Sequence, residues 1–193
     1  VKLKYVDVIR RNDNTTTPGT FFDNYRGNSI YDPRYNVGGT SAQMLSWYGQ
    51  TYDKYVVLGA KIRITFINDT DSSARTVGVV AYTNSSNLSQ SADANQLLTQ
   101  PYCRWRLLGP TQSSRSVTTV NMYMSTQKIF GKKIVDQEEY SAAILGSPAN
   151  DYTWYFALFG TNSLGSDPFQ ITYQTAITYY VKFYDRNNYI ANG

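Results

Sequence analysis

Residues 54–68 read KYVVLGAKIRITFIN, and their alternation decides the fold class. From Ala60 to Phe66 the even positions (Ala60, Ile62, Ile64, Phe66) are apolar, and the odd ones (Lys61, Arg63, Thr65) are polar or cationic. Successive side chains of a strand leave opposite faces, so one face is made for a core and the other carries positive charge outward. Gly59 stands just ahead of the run, where it marks a bulge or a close backbone approach.

The same pattern recurs along the chain. Val1–Arg11 sets Leu3, Tyr5 and Ile9 against Lys2, Lys4 and Arg10, with Val6 and Val8 on the basic side. Arg75–Thr83 alternates Val77, Val79 and Ala81 with Gly78, Val80 and Tyr82. Tyr102–Leu108 turns Arg104 and Arg106 one way and Cys103, Trp105 and Leu107 the other. Arg115–Ser125 separates Val120, Met122 and Met124 from Thr119, Asn121 and Tyr123. Tyr152–Gly160 is apolar on both sides and reads as a central strand covered on both faces. In Gln170–Arg186, Ile177, Tyr179, Val181 and Phe183 point inward, while Lys182, Tyr184 and Arg186 point outward.

With Tyr55–Asn68, these make seven strands, and an eighth is expected within Lys128–Ile134. Asn12–Gly27 and Asn28–Gly39 read as loops rich in Asn, Thr, Pro and Gly. Ser41–Tyr48 has the apolar spacing of a short helix, and Asp69–Ser73 reads as a turn. Asn84–Gln100, with a helical turn at Ala92–Leu98, and Gln127–Asn150 complete the long connections. Strands joined by such unequal loops argue for an all-β Greek-key sandwich or jelly roll over an up-and-down barrel. No repeat or linker divides the chain, so residues 1–193 form one domain.

Composition narrows the function. Tyrosine occurs 18 times and charged residues make up 17 % of the 193-residue chain. Aromatic and β-branched side chains suit a pleated, half-buried surface. A polar, tyrosine-rich chain also suits large protein contacts, although Tyr is equally at home in a sandwich core. The net charge of +4 and pI of about 9.0 favour anionic partners.

There is no histidine, so a Ser-His-Asp or Cys-His relay is excluded and the commonest metal ligand is missing. The two glutamates, Glu138 and Glu139, are adjacent and make a poor acid and nucleophile pair. Asp69-Thr70-Asp71 opens like an oxygen-ligand cation loop but lacks the remaining ligands, and reads as a capped turn. The single cysteine, Cys103, has no partner for an internal disulfide and reads as a buried, inert thiol. No apolar run is long enough to cross a membrane. The chain is therefore read as a non-enzyme that needs no cofactor or metal.

The paired cations on strand faces are the stronger signal. Lys2, Lys4, Arg10, Arg11, Lys61, Arg63, Arg104 and Arg106 are the candidate nucleic-acid-binding residues. Contacts of this kind neutralise phosphates without reading sequence. Tyr5, Tyr102 and Tyr184 lie near them and are candidate stacking partners for unpaired bases.

The blocks YDKYVVLGAKIRITFIN (52–68), PYCRWRLLG (101–109), MSTQKIFGKKIVDQEEYSA (124–142) and WYFALFG…ITYYVKFYDR (154–186) carry a resemblance. In order and spacing the chain resembles the capsid proteins of circular Rep-encoding single-stranded DNA viruses, the circovirus-like CRESS DNA group. The resemblance implies one eight-stranded jelly roll, with about 60 copies closing into a T=1 icosahedral shell around circular single-stranded DNA. It implies a virion protein assembled in the host nucleus, with no catalytic residues. A basic arm is expected upstream of the first strand and is absent from this chain. The long connections Asn12–Tyr48, Asn84–Gln100 and Gln127–Asn150 are the expected subunit contacts, with Tyr25, Arg26, Tyr31, Trp47 and Tyr140 as anchors.

Two alternatives share parts of this pattern. A coat protein of a satellite or small RNA virus would share the fold and enclose RNA. A carbohydrate-binding β-sandwich module would use Tyr and Trp to stack on sugars, but would not require paired cations on strand faces.

Overall fold

The computed structural model describes residues 1–13, 21–35, 40–69, 74–83, 99–135, 137–160 and 169–186; for 11–13, 21–22, 155–160 and 169–170 it describes the backbone alone. Nine strands are present among these residues: β1 (Lys2–Asp13), β2 (Phe21–Arg26), β3 (Tyr52–Asn68), β4 (Arg75–Tyr82), β5 (Cys103–Leu108), β6 (Val117–Ser125), β7 (Ser141–Ala143), β8 (Thr153–Gly160) and β9 (Phe169–Arg186). Two short helices join them, α1 (Leu45–Gly49) and α2 (Thr126–Phe130), with a 3-10 turn at Glu138–Tyr140.

The strands form two sheets, in the orders β1-β9-β3-β6 and β2-β8-β4-β5, with β7 paired to β3 off the first. All pairings are antiparallel. Leaving β7 aside, the first strand pairs with the last and the second with the next to last, while β4 pairs with β5 directly. β3 with β6 completes the set. Such nesting arises when one long hairpin is rolled up, and it defines a jelly roll.

The alternation read in β3 is the alternation observed. Ala60, Ile62, Ile64 and Phe66 are buried, whereas Lys61 and Arg63 are exposed. The register against β9 shifts between Val57 and Gly59. A Cβ at Gly59 would lie 2.9 Å from Met124 O and 2.7 Å from Tyr123 Oη, so the close approach of β6 demands glycine there.

Tyrosine dominates the interior. Tyr25, Tyr55, Tyr152, Tyr173 and Tyr179 are all fully buried, alongside Trp154. Each of these hydroxyls needs an acceptor, and the backbone supplies several. Tyr55 donates to Gly146 O at 2.8 Å, and Tyr179 to Arg26 O at 2.8 Å. With Tyr5 and Tyr140, seven of the 18 tyrosines are buried in the described structure.

Four expectations are corrected. The stretch expected as loop before Gly27 contains β2, whose inward Asp23 broke the apolar pattern because its partners are polar and lie elsewhere in the chain. The eighth strand expected within Lys128–Ile134 is replaced by α2, anchored by Thr126 Oγ1 donating to Val57 O at 2.7 Å. The additional strand in this region is β7. On β5, Trp105 and Leu107 are half exposed instead of buried. Cys103 is half-buried; desolvation raises its thiol pKa, with Arg104 opposing. The helical turn expected at 92–98 lies outside the described residues, as do the β8 side chains of 155–160.

Two sheet edges are met in part by the chain's own backbone. Gln43 N–H donates to Lys4 O at 2.9 Å beside β1, and Arg34 bridges Tyr25 beside β2. Covered edges do not recruit stray strands.

Candidate nucleic-acid interface and assembly surface

The register brings separate basic strands onto one surface. Lys2, Lys4 and Arg10 of β1 lie opposite Tyr180, Thr178 and Thr172 of β9. Across β9, Gly59, Lys61, Arg63 and Ile67 of β3 face Tyr180, Thr178, Ala176 and Thr172. Beyond β3, Lys61 and Arg63 face Tyr123 and Asn121 of β6. In-register neighbours share a face, so Lys2, Lys4, Arg10, Lys61 and Arg63 all stand on the outer face of the five-stranded sheet that holds β1, β9, β3 and β6. Lys4, Thr178, Lys61 and Tyr123 form one transverse row, which sets the Lys4 and Lys61 backbones roughly 10 Å apart at ordinary strand spacing.

Charge on this face is little neutralised. Arg10 Nε lies 3.9 Å from Asp69 Oδ2 at its margin. No carboxylate among the described residues pairs with Lys2, Lys4, Lys61 or Arg63. Arg11 lies opposite Ile171 in the register, and its side chain is outside the described residues. Of the expected stacking residues, Tyr5 is buried and Tyr102 and Tyr184 are partly buried, while Tyr123 of β6 is 56 % exposed on the basic face. Tyr123 was legible as an outward residue of its strand; only the pairing places it beside the lysines.

Arg104 and Arg106 do not join this surface. They belong to β5, on the other sheet, opposite Val79 and Val77. They therefore point to the core side of that sheet, and stay exposed because β5 is an edge strand. Together with Trp105, Leu107, Thr118 and Arg115 they line a groove of about 590 Å³. The hydroxyl of Thr118 donates to Leu107 O at 3.1 Å and ties the edges of the two sheets together. Arg115 completes a three-arginine groove that strand patterning did not reveal, since it precedes β6 in the turn.

The expected assembly anchors divide. Tyr25 is fully buried and Tyr140 is 3 % exposed, packed on Phe130 with ring centroids 4.8 Å apart, so both serve this chain's own interior. Arg26 is also spent internally. Its Nη1 donates to Asp32 Oδ2 at 2.7 Å, its Nε to Asp151 Oδ2 at 3.3 Å, and its guanidinium lies 4.6 Å from the Tyr35 ring centroid. Tyr31 and Trp47 are exposed. Trp47 meets the edge of Tyr48, which stacks on Phe183 at 4.5 Å, so the exposed indole has a rigid footing. Met44 and Leu145 are further exposed apolar side chains that the sequence did not single out.

No protein-family model matches the chain, and no curated protein is similar to it in sequence. Solved structures are similar in fold. The decameric capsid protein of BFDV, the beak and feather disease circovirus, superposes with a TM-score of 0.52 at 14 % identity, over 96 % of this chain and 98 % of that chain. The 60-mer BFDV capsid protein gives 0.50 at 14 % identity, over 95 % and 91 %. The T=1 Penaeus vannamei nodavirus gives 0.51 at 9 % identity, over 97 % of this chain and 58 % of that chain. The chain has the jelly-roll fold of these capsid proteins.

Proposed function

We propose that this protein is a viral capsid subunit that self-assembles into a small T=1 icosahedral shell enclosing circular single-stranded DNA. The observation that carries the reading is the division of surfaces on a capsid-type jelly roll. One sheet turns Lys2, Lys4, Arg10, Lys61 and Arg63 outward together, and the described cations of that face are largely unpaired. Elsewhere, Trp47, Met44, Tyr31 and Leu145 expose apolar and aromatic area suited to contacts between copies. The basic sheet would line the cavity and neutralise phosphate, and the exposed aromatics would meet neighbouring copies around the rotation axes. On this reading the protein resides in the virion and assembles in the host nucleus.

The proposed role requires no catalytic chemistry. A sugar-binding module would leave five aligned cations on one sheet face without a partner.

Electron microscopy of the purified protein tests the proposal. Uniform small closed shells are expected, holding nucleic acid that deoxyribonuclease digests after extraction. A monomer that never assembles at high concentration would refute the capsid reading, and ribonuclease-sensitive contents would refute the DNA cargo alone.

A further inference from the structure

Within the basic sheet face, one corner is built differently from the rest. The transverse row Lys2, Tyr180, Gly59 and Ser125 has a notch at Gly59, because glycine puts no side chain on the face. Tyr123, from the neighbouring row, leans over this notch, with its hydroxyl 2.7 Å from where a Cβ would stand. Its ring meets Tyr180 edge-on, with centroids 5.9 Å apart and planes at 78°. Lys2 Nζ in turn lies 5.6 Å from the Tyr180 ring centroid. Lys61 is the cross-strand neighbour of Tyr123, and Lys4 stands in the same row. The result is an exposed aromatic ring seated over glycine and braced by a second ring, with Lys61 on the adjacent strand, Lys2 over the second ring and Lys4 farther along the row.

We propose that Tyr123 and Tyr180, with Lys2, Lys4 and Lys61, form a stacking subsite for an unpaired nucleobase of a single-stranded nucleic acid. This rests on the reading of the sheet face as a nucleic-acid interface, and adds the residues by which that face would tell an unpaired strand from a duplex. Stacking needs an aromatic ring held in place with area open to solvent, and every base offers a π-face regardless of sequence. The lysines take the phosphates on either side of the stacked base. A duplex keeps its base faces inside the helix, so it gains from the lysines but not from the ring. The subsite therefore discriminates single strands from duplexes by a contact that polyanion attraction cannot supply.

The test compares wild type, Tyr123→Leu, Tyr123→Phe and the Lys4→Ala/Lys61→Ala double variant. Binding is measured to an oligothymidylate and to a duplex of equal length at one salt concentration. Tyr123→Leu should weaken single-strand binding roughly tenfold and leave duplex binding within about twofold, while Tyr123→Phe binds like wild type. The lysine double variant should weaken both. Photocrosslinking of an iodouracil-substituted oligonucleotide to wild type supplies a readout independent of variant folding, with adducts expected on Tyr123 or Tyr180. Single-strand binding unaffected by Tyr123→Leu, a weakening equal for both nucleic acids, or adducts confined to other residues would overturn the stacking subsite while leaving the basic interface standing. Wild type that binds neither oligonucleotide would overturn the interface itself.

Discussion

Tyr25 donates its phenolic hydrogen to Asp7 Oδ2 across 2.9 Å, tying β2 of one sheet to β1 of the other through the sandwich interior. Around this bond lies a polar cluster inside an otherwise apolar core. Asp23, 1 % exposed, accepts a hydrogen bond from Tyr173 and pairs with Arg34 Nη2 at 3.2 Å. Burial works against the Arg34 charge, but Asp23, with Tyr25, Tyr173 and Asp7, outweighs it and raises the guanidinium pKa above its ordinary value. The cluster joins β1, β2, β9 and the segment after β2, where apolar packing alone would not choose one alignment.

Removing the carboxylate at its centre leaves a largely buried guanidinium with only the distant Asp7, 4.0 Å away. Asp23→Ala should destabilise the subunit by about 3 kcal/mol, since breaking a buried pair strands the remaining charge. Urea unfolding followed by tryptophan fluorescence measures this, and a change under about 1 kcal/mol would mean that the cluster is not an energetic centre.

Alkaline pH should unfold the protein through its tyrosines. Desolvation, and then Asp7, push the Tyr5 phenol from 10.0 up to about 12. Burial likewise raises Tyr25, Tyr152 and Tyr179. A raised folded pKa means that the native state holds protons the unfolded chain releases. Stability is therefore complete below pH 10 and falls as pH rises toward about 12. Melting temperature against pH, read beside phenolate absorbance, should show ionisation of these tyrosines arriving together with unfolding. Ionisation of these buried tyrosines in a protein that is still folded would contradict it.

Gly27 sits against a buried ring: a Cβ there would fall 1.9 Å from Tyr152 Cε2. Tyr152 is fully buried and cannot step aside. Gly27→Ala should cost about 3 kcal/mol by overpacking, seen as a lowered melting temperature or a drop in soluble protein. A melting curve matching wild type would show that the core yields there.

Salt dependence separates the two basic surfaces. On a single strand, each phosphate that a cation neutralises steepens the fall of log K with log salt by about 0.7. Lys4→Ala/Lys61→Ala should therefore flatten the slope by about 1.4, whereas Arg104→Ala/Arg106→Ala on the opposite sheet should leave it unchanged. An effect of the arginine pair as large as that of the lysines would mean that one strand reaches both sheets.

Trp47 is 57 % exposed on a rigid aromatic footing. Trp47→Glu should abolish shell formation while leaving the melting temperature of the lone subunit within a few degrees of wild type. Light scattering and calorimetry together check this; shells that form normally would remove Trp47 from the assembly surface.

Much of the fold was legible because strand alternation is a local property. The apolar positions of β1, β3, β4, β6 and β9 read correctly, and so did the irregularity at Gly59. β2 was illegible because its inward Asp23 looks like a loop residue until Arg34 and Tyr173 are brought to it. β5 misled for a related reason. Its alternation was real, but the pairing with β4 turns Trp105 and Leu107 to the outer side of the sheet and Arg104 and Arg106 to the core side, so the pattern separated two faces without saying which is buried. Among the expected anchors, an aromatic ring such as Tyr25 or Tyr140 reads the same whether it will fill a core or meet a partner.

By itself the sequence determined which residues share a face of each strand, the excess of positive charge, and the exclusion of histidine-based catalysis, because these depend only on residue type and a period of two. Which strands lie side by side was decided only in the tertiary structure. Pairing β1 with β9, and β9 with β3, joined Lys2, Lys4, Arg10, Lys61 and Arg63 into one surface and left Arg104 and Arg106 on another. Strand order depends on contacts between residues far apart in the chain, and no local pattern encodes it.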